Sequence, residues 1–67
     1  VDIRQRLAAN LRRARQQKGW TQEQLAFEAD IHRTYISDLE RGSRNPTITV
    51  VDRLAKALET SPGALLD

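Results

Sequence analysis

A chain of 67 residues with no cysteine and a single histidine, His32, can form at most one domain: its core must be compact and rest on packing alone, and neither disulfides nor a zinc site are available. No apolar run approaches the roughly 18 residues of a membrane helix and the start lacks a signal-peptide core, so a soluble, cytoplasmic protein of a reducing compartment is expected. The net charge is only +2, yet residues 1–18 carry Arg4, Arg6, Arg12, Arg13, Arg15 and Lys18 against Asp2, and nine of the eleven cations are arginine, which suits bidentate contact with phosphate or guanine.

Charge alone favours nucleic acid only slightly over a solvated basic face, because arginine-rich composition also follows from genomic base bias. The chain opens on Val1 rather than methionine and closes on Asp67, so a missing or processed start and a cut end are both expected. The one candidate strand, "TITVV", lies inside a helical pattern, and the reading is therefore all-α.

Ile3, Leu7, Leu11 and Ala14 form one stripe of a first helix over about residues 2 to 18, with Gly19 as its stop. In "GWTQEQLAFEAD", Thr21 is placed to cap a second helix and Gln24 to close a capping box, while Trp20 faces Leu25 as a hydrophobic staple. That helix runs from about Gln22 to Ala29 and buries Leu25, Ala26 and Ala29. Trp20 and Phe27 are assigned to packing, since one interrupted pair makes no base-stacking platform.

Only Asp30, Ile31 and His32 separate it from a third helix, over about Arg33–Arg41, in which Ile36 and Leu39 face inward with Tyr35 beside them and Gly42 is the stop. So tight a joint holds two helices at a steep angle, the helix-turn-helix arrangement. "SRNPT" is a polar loop in which Pro46 forces Asn45 out of the α region and Thr47 caps a fourth helix. Ile48, Val51, Leu54, Ala55 and Leu58 form the stripe of that helix, with Val50 on its flank. Ser61 caps a last short helix with Pro62 at its first position; Leu65 returns to the core and Leu66 faces elsewhere.

The stretches "LRRARQQKGWTQEQLA", "RTYISDLERGSRNPTI" and "LAKALE" resemble the phage repressor/Cro-like, or XRE-type, helix-turn-helix DNA-binding domains over nearly the whole chain. Within that family, "RTYIS..ERGSRNPT" looks most like the small controller proteins of restriction-modification systems. The resemblance implies a compact five-helix repressor-like domain over residues 1–67, with helices 2 and 3 as the helix-turn-helix. Gln22 matches the position that bonds the DNA backbone, and helix 3 matches the recognition helix, with Arg33 and Thr34 as base readers. Tyr35, Ser37 and Asp38 match positions that reach bases or phosphates; Ser43, Arg44 and Asn45 match the loop that grips the backbone. Arg15 and Glu40 match a pair that bridges helix 1 to helix 3. Two positions depart from the pattern: Asp30 replaces the usual turn glycine, and His32 stands where a Ser, Thr, Asp or Asn cap is usual, its ring either capping poorly or serving DNA.

The residues support these roles without the family. With Ile36 and Leu39 inward, Arg33, Thr34, Ser37 and Asp38 lie on the other faces of a helix that fits the major groove. Arginine can donate two bonds to guanine, and threonine's methyl can pack on thymine's. Asp38 could accept from cytosine or orient Arg33 or Arg41, and the orienting role is preferred. Gln22 adds a donor to a helix N-terminus that already favours phosphate. Arg15 and Glu40 read as a structural brace, and the remaining helix 1 arginines as solvated, exerting at most a long-range pull on DNA. With no metal-ligand spacing, no glycine-rich phosphate loop and scattered carboxylates, no enzyme, metal or cofactor is expected.

The leading expectation is a sequence-specific regulator of bacterial or phage origin, nucleoid-associated, bound as a homodimer to a two-fold double-stranded operator, with promoter occlusion or contact with RNA polymerase as its mechanism. The dimer surface is expected at the C-terminal end, near Leu66 and the edge of helix 4. The alternative is a helical protein-interaction module, antitoxin-like or a co-regulator, using the same face of helix 3. Against it stand Arg33 in the first turn and the cations of the following loop.

Overall fold

The computed structural model describes residues 2–67 and contains, among them, five α-helices and no strand: α1 (Ile3–Gln17), α2 (Gln22–Ala29), α3 (Arg33–Glu40), α4 (Ile48–Ala57) and α5 (Pro62–Leu66). Each start has a local cause. Asp2 caps α1 by accepting from the Arg4 N–H at 2.8 Å, and the Arg4 guanidinium returns to the carboxylate at 2.8 and 3.2 Å. Those hydrogen bonds, the side-chain ones above all, hold the exposed Asp2 carboxyl down at about 2. Thr21, Thr47 and Ser61 each accept from the N–H three residues on, at 3.1, 3.2 and 3.1 Å, which satisfies one orphan donor per helix. At Thr21 only this half of the capping box is made among the described residues; the Gln24 amide does not return to the Thr21 N–H.

The stops of α1 to α4 share one pattern. A residue with positive φ follows the last turn, and two N–H groups reach back across it, as at Gly19 (to Gln16 at 3.0 Å) and Trp20 (to Arg15 at 3.1 Å). Gly42 with Ser43 repeats this after α3. Asp30 with Ile31 does so after α2, and Glu59 with Thr60 after α4, although φ is 56° at Asp30 and 57° at Glu59. For residues that bear a Cβ this conformation costs about 1 kcal/mol or more, offset by the carbonyls satisfied. The chain can therefore pass from α2 to α3 through only Asp30, Ile31 and His32.

Packing places α2 against α3 and α4, and α1 against α3 and α5. Leu7, Leu11, Leu25, Ala26, Ala29, Ile36, Leu39, Val51, Leu54, Ala55, Leu58 and Leu65 form one core, against which Ala14, Trp20, Tyr35, Val50 and Leu66 are half-buried. Three apolar side chains depart from the sequence expectation. Phe27 is 82% exposed rather than packed, because Leu25, Ala26 and Ala29 already fill the inward arc of a two-turn helix and Phe27 points some 200° round from Leu25. Ile48 (87% exposed) and Ile3 (55%) lie on the expected stripes but at the first residues of α4 and α1, beyond the reach of an opposing helix. They rim a shallow apolar groove with Leu7, Pro46, Val51 and Leu66. No helix of the described residues is long and apolar enough to cross a membrane.

Candidate nucleic-acid interface

Helix α3 is held by its inner face and by its end. Ile36 and Leu39 are buried, and so is Glu40, the one buried charged residue among those described. The side chains of His32, Arg33 and Thr34 at the first turn are exposed, with Tyr35, Ser37 and Asp38 half-buried behind them. His32 occupies the N-cap position with extended backbone but makes no capping bond, so the first N–H groups of α3 have no side-chain acceptor. Arg33, Thr34 and Asn45 take no part in the side-chain hydrogen bonds or ion pairs of the described residues. The sequence thus folds to present one turn of uncommitted donors.

The opposite end of α3 is a hub. Glu40 accepts from Arg15 at 2.6 Å (Nε) and 3.0 Å (Nη2) and from the Gln22 amide at 3.1 Å. Arg12 adds a bond to the Glu40 carbonyl at 3.0 Å and an ionic approach to the carboxylate at 3.8 Å, while Arg15 also donates to the Trp20 carbonyl at 2.8 Å. Burial alone would push the Glu40 carboxyl up, but the hydrogen bonds from Arg15 and Gln22 and the charges of Arg15 and Arg12 outweigh it and hold the group below its ordinary range. Its hydrogen bonds in turn raise Arg15. No buried side-chain N or O among the described residues lacks a partner, so the desolvated carboxylate is fully compensated.

Two members of this hub make bonds that the sequence reading did not foresee. Helix 1 arginines other than Arg15 were expected to be solvated, yet Arg12 is tied to Glu40, Arg4 to Asp2, and Arg13 to Asn10 at 3.1 Å. Arg4 and Arg13 are captured by a short polar neighbour within one helical turn, whereas Arg12 reaches across to the end of α3. Arg12 lies three residues before Arg15, so the shared face was visible as spacing. Gln22, expected to face the DNA backbone, directs its amide to Glu40 while its residue stays half-exposed at the start of α2.

Beyond the first turn, the polar face of α3 is joined to the following loop. Asp38 pairs with Arg41 in a short contact and approaches Arg44 Nε at 3.8 Å, whereas Arg33 is not among its partners. Arg41 also donates to Ser37 Oγ at 2.9 Å, and Ser43 Oγ donates to the Asp38 carbonyl at 3.1 Å. The Arg44 guanidinium lies 4.3 Å from the centroid of the Tyr35 ring, a cation–π stack. Six of the residues singled out from the sequence or beside it thus gather in one patch: Tyr35, Ser37, Asp38, Arg41, Ser43 and Arg44. Sequence spacing carried no signal for the Tyr35–Arg44 stack, because it depends on where the loop returns. Among the described residues no group of His, Asp and Glu is placed to hold a metal ion.

Comparison with known proteins follows the same geometry. The family described as Helix-turn-helix matches residues 11–65. Control protein C.SmaI of Serratia marcescens is 47% identical over 66 residues, covering 98% of this chain and 79% of that protein. Control protein C.BamHI of Bacillus amyloliquefaciens is 55% identical over 47 residues, covering 70% of this chain; the match spans 58% of the length of C.BamHI. The structure of the restriction-modification controller protein C.Esp1396I, a tetramer in complex with its natural 35 base-pair operator, superposes with a TM-score of 0.87 at 37% identity, over 97% of this chain and 86% of that one. The tight α2–α3 joint, the exposed first turn of α3 and these matches agree: the chain belongs to the phage repressor/Cro-like, XRE-type helix-turn-helix family, with restriction-modification control proteins among its relatives.

Proposed function

We propose that the chain is a sequence-specific, double-stranded DNA-binding transcription regulator that lays α3 in the major groove of a two-fold operator. The observation that carries this is the first turn of α3, where Arg33 and Thr34 are exposed and unpaired on a helix otherwise fixed by Ile36, Leu39 and Glu40. Arg33 is the guanine reader and Thr34 the thymine-methyl contact, with Ser37 and Asp38 bordering the next base pair. Gln22, His32, Tyr35, Ser43, Arg44 and Asn45 serve the sugar-phosphate backbone. Gln22 does so through the α2 N-terminus and the second N–H of its amide nitrogen, the first being given to Glu40.

One α3 spans only a few base pairs, so useful affinity calls for two copies on half-sites about one helical turn, roughly 34 Å, apart. The apolar groove around Ile3, Ile48 and Leu66 is the proposed homodimer face, and the operator-bound tetramer of C.Esp1396I supports assembly on DNA. Promoter occlusion or contact with RNA polymerase completes the mechanism, in a cytoplasmic, nucleoid-associated protein without enzymatic activity.

Titration into duplex DNA at rising salt tests this reading, with operators selected from a random duplex pool. The expected result is binding whose logarithm falls linearly with log salt and a selected site with two half-sites. No binding at low salt overturns it. A second reading, a protein-interaction module, draws on one observation, the exposed Phe27 ring on α2. It predicts a binding partner that is lost in Phe27→Ala and retained in Arg33→Ala.

A further inference from the structure

The cations at the far end of the recognition face are committed before any DNA arrives. Asp38 is itself on α3, and its half-buried carboxylate lies between Arg41, the residue that ends the helix, and Arg44, in the loop beyond. Arg41 is fixed a second time by Ser37 Oγ, Arg44 a second time by the Tyr35 ring, and the loop a third time by Ser43 Oγ on the Asp38 carbonyl. By contrast Arg33 carries no such partner. One carboxylate therefore removes one unit of net positive charge from the loop end of the face and leaves the first turn untouched.

Such an arrangement has opposite effects on two kinds of duplex. Non-specific affinity comes almost wholly from cations meeting phosphates and releasing counterions, so a carboxylate among those cations lowers it directly. On a matched site the same carboxylate holds Arg41 and Arg44 at fixed angles, which reduces the ordering cost of their contacts. A charge that repels the wrong partner more than the right one sets specificity by repulsion.

Resting on the DNA-binding reading above, we propose that Asp38 is a specificity-setting residue that acts through Arg41 and Arg44. It restrains these two arginines from indiscriminate phosphate binding and aims them on the operator.

The test compares the unsubstituted chain with Asp38→Asn on two duplexes, one selected from a random pool and one scrambled to the same composition, at several salt concentrations. In Asp38→Asn, affinity for the scrambled duplex should rise several-fold and its salt slope should steepen by about 0.9, one further cation being free for phosphate. The selected-to-scrambled ratio should fall. Removing any nearby negative charge could raise affinity somewhat, so two controls fix the cause. Glu28→Gln, another exposed acid of the same chain but remote from the α2 N-terminus, should leave the ratio unchanged. In an Arg41→Gln, Arg44→Gln background, Asp38→Asn should no longer change it. An unchanged scrambled-duplex slope in Asp38→Asn overturns the proposal, and so does an effect that persists without the two arginines; loss of preference at a single base pair alone would make Asp38 a direct reader instead. If the unsubstituted chain binds neither duplex, the function reading itself fails and this inference with it.

Discussion

The C-terminal end of α3 and its first turn carry similar numbers of polar groups and use them in opposite ways. At Glu40 four donors converge on one buried residue and its carboxylate is fully engaged within the protein. At Arg33 and Thr34 the side chains are exposed and unpaired. Rigidity and availability are thus separated along less than three turns of one helix, so the reading end can be free without being loose. Substitutions at the two ends should accordingly move different observables.

Glu40→Ala should have the largest effect. Removing the carboxylate leaves the half-buried Arg15 without its counter-charge, and urea unfolding should show a loss of about 3 kcal/mol or more. A loss below 1 kcal/mol would mean the hub contributes little and the core alone fixes α3. Arg33→Ala should behave conversely, costing about 1 to 3 kcal/mol of discrimination at one base pair while leaving stability within about 0.5 kcal/mol. If instead affinity drops equally for all sequences, Arg33 is a phosphate contact.

Acid sharpens the same contrast. The folded Glu40 carboxyl lies below its unfolded value of about 4.3, so its contribution is complete above that value and is lost as pH falls through the lowered folded one. Asp2 acts in the same direction, down to about 2. Urea midpoints measured from pH 7 to pH 3 should decline, and Glu40→Gln should flatten the decline. The smallest effect is expected at the joint between α2 and α3. Asp30→Gly removes a Cβ from a residue at φ 56° and should raise the unfolding free energy by about 0.5 to 1 kcal/mol. A fall there would show that the Asp30 side chain contributes something its backbone does not.

Most of the framework was legible because its causes are local. Thr21, Thr47 and Ser61 announce helix starts and Gly19 and Gly42 announce stops, while the resemblance to the family placed Asp30 at the usual turn glycine, where the structure has it left-handed. The first helix differs by one residue at each end, Ile3–Gln17 rather than 2 to 18, and the third ends at Glu40 with Arg41 as its cap. What periodicity could not supply was which apolar groups meet an opposing surface. Phe27 and Ile48 are both hydrophobic at plausible positions, but one points out from a helix whose inner arc is full and the other overhangs the core. Nor could spacing show which polar groups converge. Gln22 on Glu40, and Arg44 on Tyr35, join residues 18 and nine positions apart through the way the chain returns.

The Glu40 hub has a consequence for the kind of duplex the chain can accept. Because a single carboxylate is gripped by Arg12 and Arg15 of α1 and by Gln22 at the head of α2, the distance between the α2 N-terminus and the first turn of α3 is set inside the protein. On the proposed reading, one of these points rests on a phosphate and the other on a base edge. The protein then works as a gauge of fixed opening, measuring how deep the bases lie below the strand. Sequences that widen or narrow the groove would be ranked by that misfit even at base pairs no side chain touches.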